Sequence, residues 1–303
     1  MQDIKYYQEL LKKNFTIDGK IHKRYVHSLG VAEEAVRINQ ELKLGLNNDK
    51  VYLAGLLHDA AKLYSDSVLL DIILENDQEL KKYEKELINT PQILHSFAGK
   101  YLVKRDYNID DEEILSAIYY HTTGIDKMTL LEEVIFVADF CEERTRTGQI
   151  FDDARQSLKK GLHYATLTIL KINRDYLNKQ HKQLFIYGEK AYNYYERLQM
   201  NSRINEIVSS LEKAVVDDIK VYDMKEITPF YDYAIIASAS SNRQAIAAIE
   251  YVRDDEEKRG KIVKPPLYDA SSTWILIDLK DVIIHVFVGD ERTKYNLDEM
   301  YER

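Results

Sequence analysis

The sequence holds a single cysteine, Cys141, in 303 residues. An intrachain disulfide is therefore excluded, as is a thiolate cluster for zinc or iron-sulfur, so any metal must be held by histidine and carboxylate. No apolar run approaches the roughly 18 residues of a membrane span, and the opening MQDIKYYQELLKKN lacks the apolar core of a signal peptide. A cytoplasmic protein with no membrane partner is expected. Basic residues are in deficit, with 42 Lys plus Arg against 51 Asp plus Glu and a net charge of −9. That balance argues against a broad electrostatic grip on nucleic acid and against sequence-specific nucleic acid as a partner. Proline is scarce at four residues and tryptophan is limited to Trp274, whereas 23 tyrosines form an excess with no functional reading of their own.

The composition that remains, 45% hydrophobic and 31% charged, suits a globular chain, and its length is that of two domains. Residues 1–198 read almost entirely as helices. Tyr25, Leu29, Ala32 and Val36 form one helical stripe and Val31, Ala35, Ile38 and Leu42 a second, which marks a helix buried on two faces. Asn48 or Asp49 is placed to cap a helix over DKVYLAGLLHDAAKLY, Thr90-Pro91 to start another, and Asp110 to open DDEEILSAIYYH before Gly124. Thr129 with Glu132 makes a capping box ahead of LLEEVIFVADFCEER. From residue 199 the period changes. IKVYDM and YDYAIIAS read as strands, SNRQAIAAIEYVRDDEEKRG as an amphipathic helix, and TWILIDL with DVIIHVFV as a hairpin turning at Lys280-Asp281. The expected architecture is an all-α helical bundle over 1–198 followed by a small α/β domain over 199–303, the boundary resting on the change of period alone.

Histidine carries the chemical signal. His27, the adjacent pair His58-Asp59, His95, His121 and Asp139 recur on the expected helices. His121 continues the stripe Ile114, Ala117, Ile118, and Asp139 follows Ile135 by one turn, so both point inward. A lone histidine on such a stripe is more often a hydrogen-bonded core residue than a ligand. The ordered set is hard to explain as packing, because a buried carboxylate without a partner is costly. Imidazoles and carboxylates converging from several helices can hold a divalent transition metal. Lys62, one turn after His58, is placed to reach a phosphate, although a solvated lysine is the bland alternative. Thr122 and Thr123 could donate hydrogen bonds at a helix end.

The segments RYVHSLGVAEEA, LAGLLHDAAK, INTPQILHSFAGKYL and AIYYHTTGIDKMTLLEEVIFVADFCE resemble the YqeK family of HD-domain metallohydrolases over roughly residues 5 to 198. The resemblance implies symmetrical hydrolysis of diadenosine tetraphosphate, a dinucleoside polyphosphate, to two ADP with one or two iron-type ions bound. It implies His27, His58, Asp59 and Asp139 as primary ligands, with His95 and His121 holding a second metal bridged by Asp59 or contacting phosphate. Asp59, Lys62, His95 and His121 would form the catalytic group, and Lys62, Thr122, Thr123 and Arg144 would meet the substrate. The family usually carries proline after its ADF segment, where this chain has EERTRTGQ. Other HD phosphohydrolase substrates, among them cyclic dinucleotides and (p)ppGpp, and a silent nucleotide sensor are the competing readings.

The second unit contains 14 Lys plus Arg and 20 Asp plus Glu, a net −6, which disfavours RNA and favours a basic protein. It shows no catalytic set; His285 in its alternating strand reads as a packed or edge residue. DYAIIASASSNRQAIAAIEYV and TWILIDLKDVIIHVFVGDERTKYNLDEMY resemble the ribosome silencing factor (RsfS, Iojap) family. The resemblance implies a nucleotidyltransferase-like fold without enzymatic activity, a basic protein of the large ribosomal subunit as partner, and obstruction of subunit joining. Trp274 on general grounds reads as a core aromatic, whereas the matching family position implies an interface anchor, and Leu279, at the hairpin turn, is expected as an exposed apolar contact. A homodimer is left open.

Overall fold

The computed structural model describes residues 3–269 and 271–302. The chain divides into two compact units, Met1–Gln199 and Met200–Arg303. In the first, α1 (Ile4–Asn14) and a short ribbon of β1 (Thr16–Ile17) and β2 (Lys20–Ile21) lead into α2 (Lys23–Glu41). Then come α3 (Asn48–Leu57), α4 (Asp66–Asn76), α5 (Glu84–Asn89), α6 (Leu94–Tyr107) and α7 (Glu112–Tyr120). They are followed by α8 (Leu130–Cys141), α9 (Gln149–Leu158) and α10 (Leu162–Asn178), and α11 (Ile186–Glu212) carries the division between the units. Among the described residues no helix is long and apolar enough to cross a membrane.

The two stripes of α2 account for its position. Val31, Ala32, Ala35 and Ile38 are fully buried, while Tyr25, Leu29, Val36 and Leu42 are partly buried around them. Gly55 permits close packing of α3 on α2, since a Cβ there would sit 2.8 Å from Ala32 Cα. That contact brings the end of α3 to the face of α2 that carries His27.

Several helix ends differ by a residue or more from the expectation. The cap of α3 is Asn47, which accepts from the Lys50 amide, and that of α7 is Asp111, which accepts from Glu113 and Ile114. In each case the cap lies where the chain leaves extended backbone, which residue type alone does not locate. Thr90 holds the N-cap position of a short 3-10 turn that Pro91 starts before α6, but its side chain makes no capping bond; its hydroxyl donates to the Glu86 carbonyl. The Thr129–Glu132 capping box forms as expected. The helix expected over 49–64 ends at Leu57. Beyond it the amides of Ala60, Lys62 and Tyr64 bond three residues back, to Leu57, Asp59 and Ala61, so tight turns replace the helix around His58-Asp59.

The second unit holds β3 (Asp217–Asp223), β4 (Tyr233–Ala239), α12 (Asn242–Lys258), β5 (Trp274–Asp278), β6 (Val282–Val288), α13 (Glu291–Tyr295) and α14 (Leu297–Tyr301). The sheet order is β3-β4-β6-β5, with β4 and β6 parallel and the other pairs antiparallel. A parallel pair needs a long crossover, and α12 lies within it. Ser241 caps α12 by accepting from the Gln244 amide. Alternation along the strands sorts the faces: Ile235, Ala237, Ile275, Ile277, Ile284 and Val286 join Ala245, Ile249 and Val252 of α12 in one core. Ala234, Ile236 and Phe287 pack with Tyr222 and Tyr301 on the other face.

Candidate metal centre

Five elements converge on the six residues read from the sequence. α2 supplies His27, the end of α3 supplies His58 with Asp59 in the following turn, α6 supplies His95, the C-cap of α7 supplies His121, and α8 supplies Asp139. The four histidines and Asp59 are buried and Asp139 is nearly so. Ile114, Ala117 and Ile118 of α7 and Ile135 and Ala138 of α8 are fully buried, which presses His121 and Asp139 into the same interior.

The donor atoms form a continuous patch. His27 Nε2 lies 3.0 Å from Asp139 Oδ1 and 3.9 Å from Asp59 Oδ2, and His58 Nε2 lies 3.7 Å from Asp59 Oδ2 and 3.8 Å from Asp139 Oδ1. The other Asp59 oxygen, Oδ1, is 3.1 Å from His95 Nε2 and 3.8 Å from His121 Nε2. Asp59 thus presents one oxygen to His27 and His58 and the other to His95 and His121. The opposite ring nitrogens are anchored. His58 Nδ1 is 2.7 Å from the Gly55 carbonyl and His121 Nδ1 is 2.7 Å from the Ile118 carbonyl, so in both rings Nδ1 carries the proton and Nε2 keeps its lone pair. His27 Nδ1 is 3.0 Å from both Glu142 Oε1 and Thr145 Oγ1. His58 Nε2 is buried without a hydrogen-bond partner, and His27 Nε2, equally buried, faces only Asp139 Oδ1, out of line for a good hydrogen bond.

These features fit a metal. A first-row ion binds nitrogen and oxygen at about 2.0–2.2 Å, so donors sharing one lie up to ~4.2 Å apart. Three overlapping triplets come close to that spacing, their ligand atoms all within 4.8 Å of one another: His27, His58 and Asp59; His58, His121 and Asp139; and Asp59, His95 and His121. The anchored Nδ1 atoms are the outer-sphere contacts that hold ligating imidazoles in one tautomer.

Electrostatics agree. Burial lowers His58 to about 3 and His95 to about 4, the latter against the pull of Asp59, so both rings are neutral donors at physiological pH. Burial opposes the charge of Asp59, but the imidazoles of His58, His121 and His95 outweigh it and hold the carboxyl well below its usual range. Asp139 is held low in the same way by His27 and Arg146. His27 stands apart: burial would lower it, yet Asp139 and Glu142 raise it to about 9. A proton on His27 does the work of a cation between these carboxylates, and a metal ion would replace it.

Cations surround the patch. Arg24 Nη1 is 2.9 Å from Asp59 Oδ2, and Arg146 Nη2 is 2.8 Å from Asp139 Oδ1, each side chain about one third exposed at 32% and 31%. Lys62 points inward, its Nζ 3.0 Å from His95 Nδ1, and burial lowers its pKa. Thr122 Oγ1 lies 3.3 Å from His95 Nε2, whereas Thr123 donates to the Gly124 carbonyl and is turned onto its own backbone. Arg144 is not brought to the patch. Its guanidinium pairs with Glu33 and its amide donates to Glu142, while Arg146, two residues on, reaches Asp139. Sequence reading missed Arg24, Glu142 and Arg146. Arg24 sits three residues before His27 on one helix face, a signal that was available.

In the second unit Trp274 is half-buried on β5, stacked on Phe287 at 5.1 Å between ring centroids and 4.6 Å from Tyr295. Leu279 is not exposed. The hairpin turn, with Lys280 at φ +78° and the Leu279 amide bonded to Val282 O, folds its side chain into the core beside Ile277 and Val282. The exposed apolar residue of this hairpin is Leu276. His285 is packed as expected: Trp274 Nε1 donates to its Nδ1 at 3.2 Å and Tyr301 OH lies 3.3 Å from its Nε2.

Fold and centre define a helical hydrolase domain of the His-Asp type joined to a small mixed-sheet α/β domain. The HD domain family matches residues 24–143, and the family described as ribosomal silencing factor during starvation matches residues 198–303. The symmetrical bis(5'-nucleosyl)-tetraphosphatase of Bacillus subtilis (strain 168) is 33% identical over 162 residues, 54% of this chain and 83% of that protein. The ribosomal silencing factor RsfS of the same organism is 35% identical over 85 residues, 28% of this chain and 72% of that protein. A crystal structure described as a predicted HD superfamily hydrolase involved in NAD metabolism, from Clostridium acetobutylicum, is 31% identical. It covers 65% of this chain and 98% of its own, with a TM-score of 0.58. The chain belongs to both families, as a fusion of a YqeK-type symmetrical bis(5'-nucleosyl)-tetraphosphatase hydrolase domain with a ribosomal silencing factor domain.

Proposed function

We propose that the first unit hydrolyses diadenosine tetraphosphate symmetrically to two ADP, and that the second docks on the large ribosomal subunit through a basic ribosomal protein and hinders subunit joining. The observation that supports the hydrolytic reading best is the split role of Asp59, one oxygen toward His27 and His58 and the other toward His95 and His121. His27, His58, Asp59 and Asp139 would hold one divalent ion, iron by family, and Asp59, His95 and His121 a second. Bound divalent ions lower the pKa of water toward ~7 and clamp phosphate oxygens. The protein's own groups do the rest. Arg24 and Arg146, paired with Asp59 and Asp139 and partly open to solvent, are positioned to receive the negative chain of four phosphates. Lys62 and Thr122 line the His95 side, where they can hold phosphate oxygens by donated hydrogen bonds. Water adds to one central phosphorus and the bond to the oxygen of the other central phosphate breaks, leaving two ADP.

For the second unit, the net charge of −6 suits a basic protein surface, and Trp274 offers a half-buried aromatic ring on the face away from α12. Metal analysis of purified protein together with product identification tests the hydrolytic reading. ADP as the sole nucleotide product from diadenosine tetraphosphate supports it, and ATP plus AMP, or no turnover with metal bound, contradicts it.

A further inference from the structure

The segment that joins α8 to α9 carries two groups that reach the centre, the Glu142 carboxylate beside His27 Nδ1 and the Arg146 guanidinium on Asp139. It has no regular structure, and local bonding fixes only part of it. The Arg144 and Thr145 amides donate to the Glu142 carboxylate at 2.8 and 3.0 Å, which folds the chain around that side chain. The carbonyls of Cys141, Glu142 and Arg146 take no backbone amide among the described residues. Carbonyls left over at a helix end need a donor from elsewhere.

Arg155, on α9, supplies it. Its Nε donates to the Cys141 carbonyl at 2.9 Å, and its Nη2 donates to the carbonyls of Glu142 at 3.2 Å and Arg146 at 2.5 Å. Asp152, one turn earlier, accepts from Nη1 at 2.7 Å and fixes the plane of the guanidinium. The side chain is only 18% exposed, so it is engaged by the fold and not offered to solvent. α9 is itself held, since Ala154 and Leu158 are buried in the core that contains Val137 and Cys141 of α8. Phe151 of α9 lies under Arg146, its ring centroid 5.7 Å from the guanidinium carbon. A cation at the C-terminal end of α8 complements the helix dipole, and a point charge would do that as well. Spanning three carbonyls takes the planar fork of arginine.

We propose that Arg155 is a positioning residue of the metal centre: by clamping these three carbonyls it sets Glu142 against His27 and Arg146 against Asp139. In this way α9, which supplies none of the six residues of the centre, controls both its metal affinity and its grip on phosphate. The metal half of the assignment stands on the geometry of the centre, and the phosphate half rests on the hydrolytic reading above.

The test uses the full chain and Arg155→Lys, which keeps the charge and loses the fork. Competition titration gives metal affinity, inorganic pyrophosphate probes the metal-loaded protein, and diadenosine tetraphosphate gives KM and kcat at saturating metal. Metal affinity should fall about tenfold, the lower edge of outer-sphere effects. Pyrophosphate binding should weaken and KM should rise about fivefold, part of one charge-assisted hydrogen bond, with kcat changed less. The metal effect must run through Glu142, so in a Glu142→Gln background Arg155→Lys should cost no more than about twofold in metal affinity. Additive losses in the double variant overturn the proposal. So does a lowered thermal midpoint with metal affinity and KM unchanged in the folded protein, the signature of a stabilising role alone. Should Arg155→Lys fail to fold, Asp152→Ala, at a side chain 56% exposed, takes its place. About threefold lower metal affinity is then expected, the scale of one exposed ion pair, and no change overturns the proposal. If wild type fails to hydrolyse diadenosine tetraphosphate yet Arg155→Lys weakens metal binding in a Glu142-dependent way, the substrate reading falls and the positioning role stands. If wild type hydrolyses that substrate and the variants alter neither metal affinity nor KM, the reverse holds.

Discussion

The two units treat buried histidine in opposite ways. In the second, His285 has both ring nitrogens engaged, by Trp274 Nε1 and Tyr301 OH, and burial lowers it to about 4. It is a neutral, satisfied core group, as a buried polar side chain in a stable sheet should be. In the first, His27 and His58 each present a buried Nε2 with no partner in the fold outside the centre, facing the carboxylates of Asp59 and Asp139. Leaving such atoms unpaired costs stability, which the surrounding apolar helices supply. Burial alone therefore does not mark a site; what marks it is buried donors that share acceptors with one another instead of with the fold.

Asp59→Ala tests that contrast most severely. It removes the carboxylate common to both histidine pairs, so metal content and ADP production should fall by at least ~10³-fold, beyond the ~10–100-fold range of outer-sphere changes. Helical circular dichroism and sedimentation with large ribosomal subunits should be unaffected. Turnover near wild type would remove the metal assignment. Glu142→Gln probes the next layer: the carboxylate beside His27 Nδ1 is lost, and metal affinity should drop ~10–100-fold with the fold retained. Unchanged affinity would mean that Glu142 does not orient His27.

Trp274→Ala addresses the other side of the comparison. Large-subunit binding should weaken about 30-fold, as for an aromatic hot spot, while hydrolysis by the first unit stays at wild-type level. Undiminished co-sedimentation would remove the anchor role. The smallest effect is with pH. His27 is raised to about 9 without a metal, so at neutral pH binding an ion must displace its proton, whereas His58 and His95 are already neutral. Apparent metal affinity should rise with pH up to about 9, by as much as ~10-fold per unit for one proton released, and fall as pH drops below that value. Competition titrations across this window measure the slope; a flat profile would count against His27 as a ligand.

Much of the centre is legible in the sequence alone. The order His27, His58-Asp59, His95, His121, Asp139 can be read from the chain, and the single cysteine leaves only nitrogen and oxygen donors. Helical period placed His121 and Asp139 inward, since Ile114, Ile118 and Ile135 on the same faces had to be buried. The surrounding cations were legible only in part. Arg144 and Arg146 sit two residues apart in an irregular segment with no period to tell their directions, and it is Arg146 that turns toward Asp139. Leu279 misled for a similar reason: residue type suggested an exposed turn, but the left-handed Lys280 directs the preceding side chain into the core.

The sequence by itself determined which chemistry was available and on which elements it lay, because composition limits the donors and periodicity sets the buried face of each helix and strand. Only the tertiary structure decided how Asp59 divides its oxygens, which arginines ring the centre, and that Thr122, not Thr123, reaches His95. Those are contacts between residues far apart in the chain, and they depend on helix packing distances and turn geometry that no local pattern encodes.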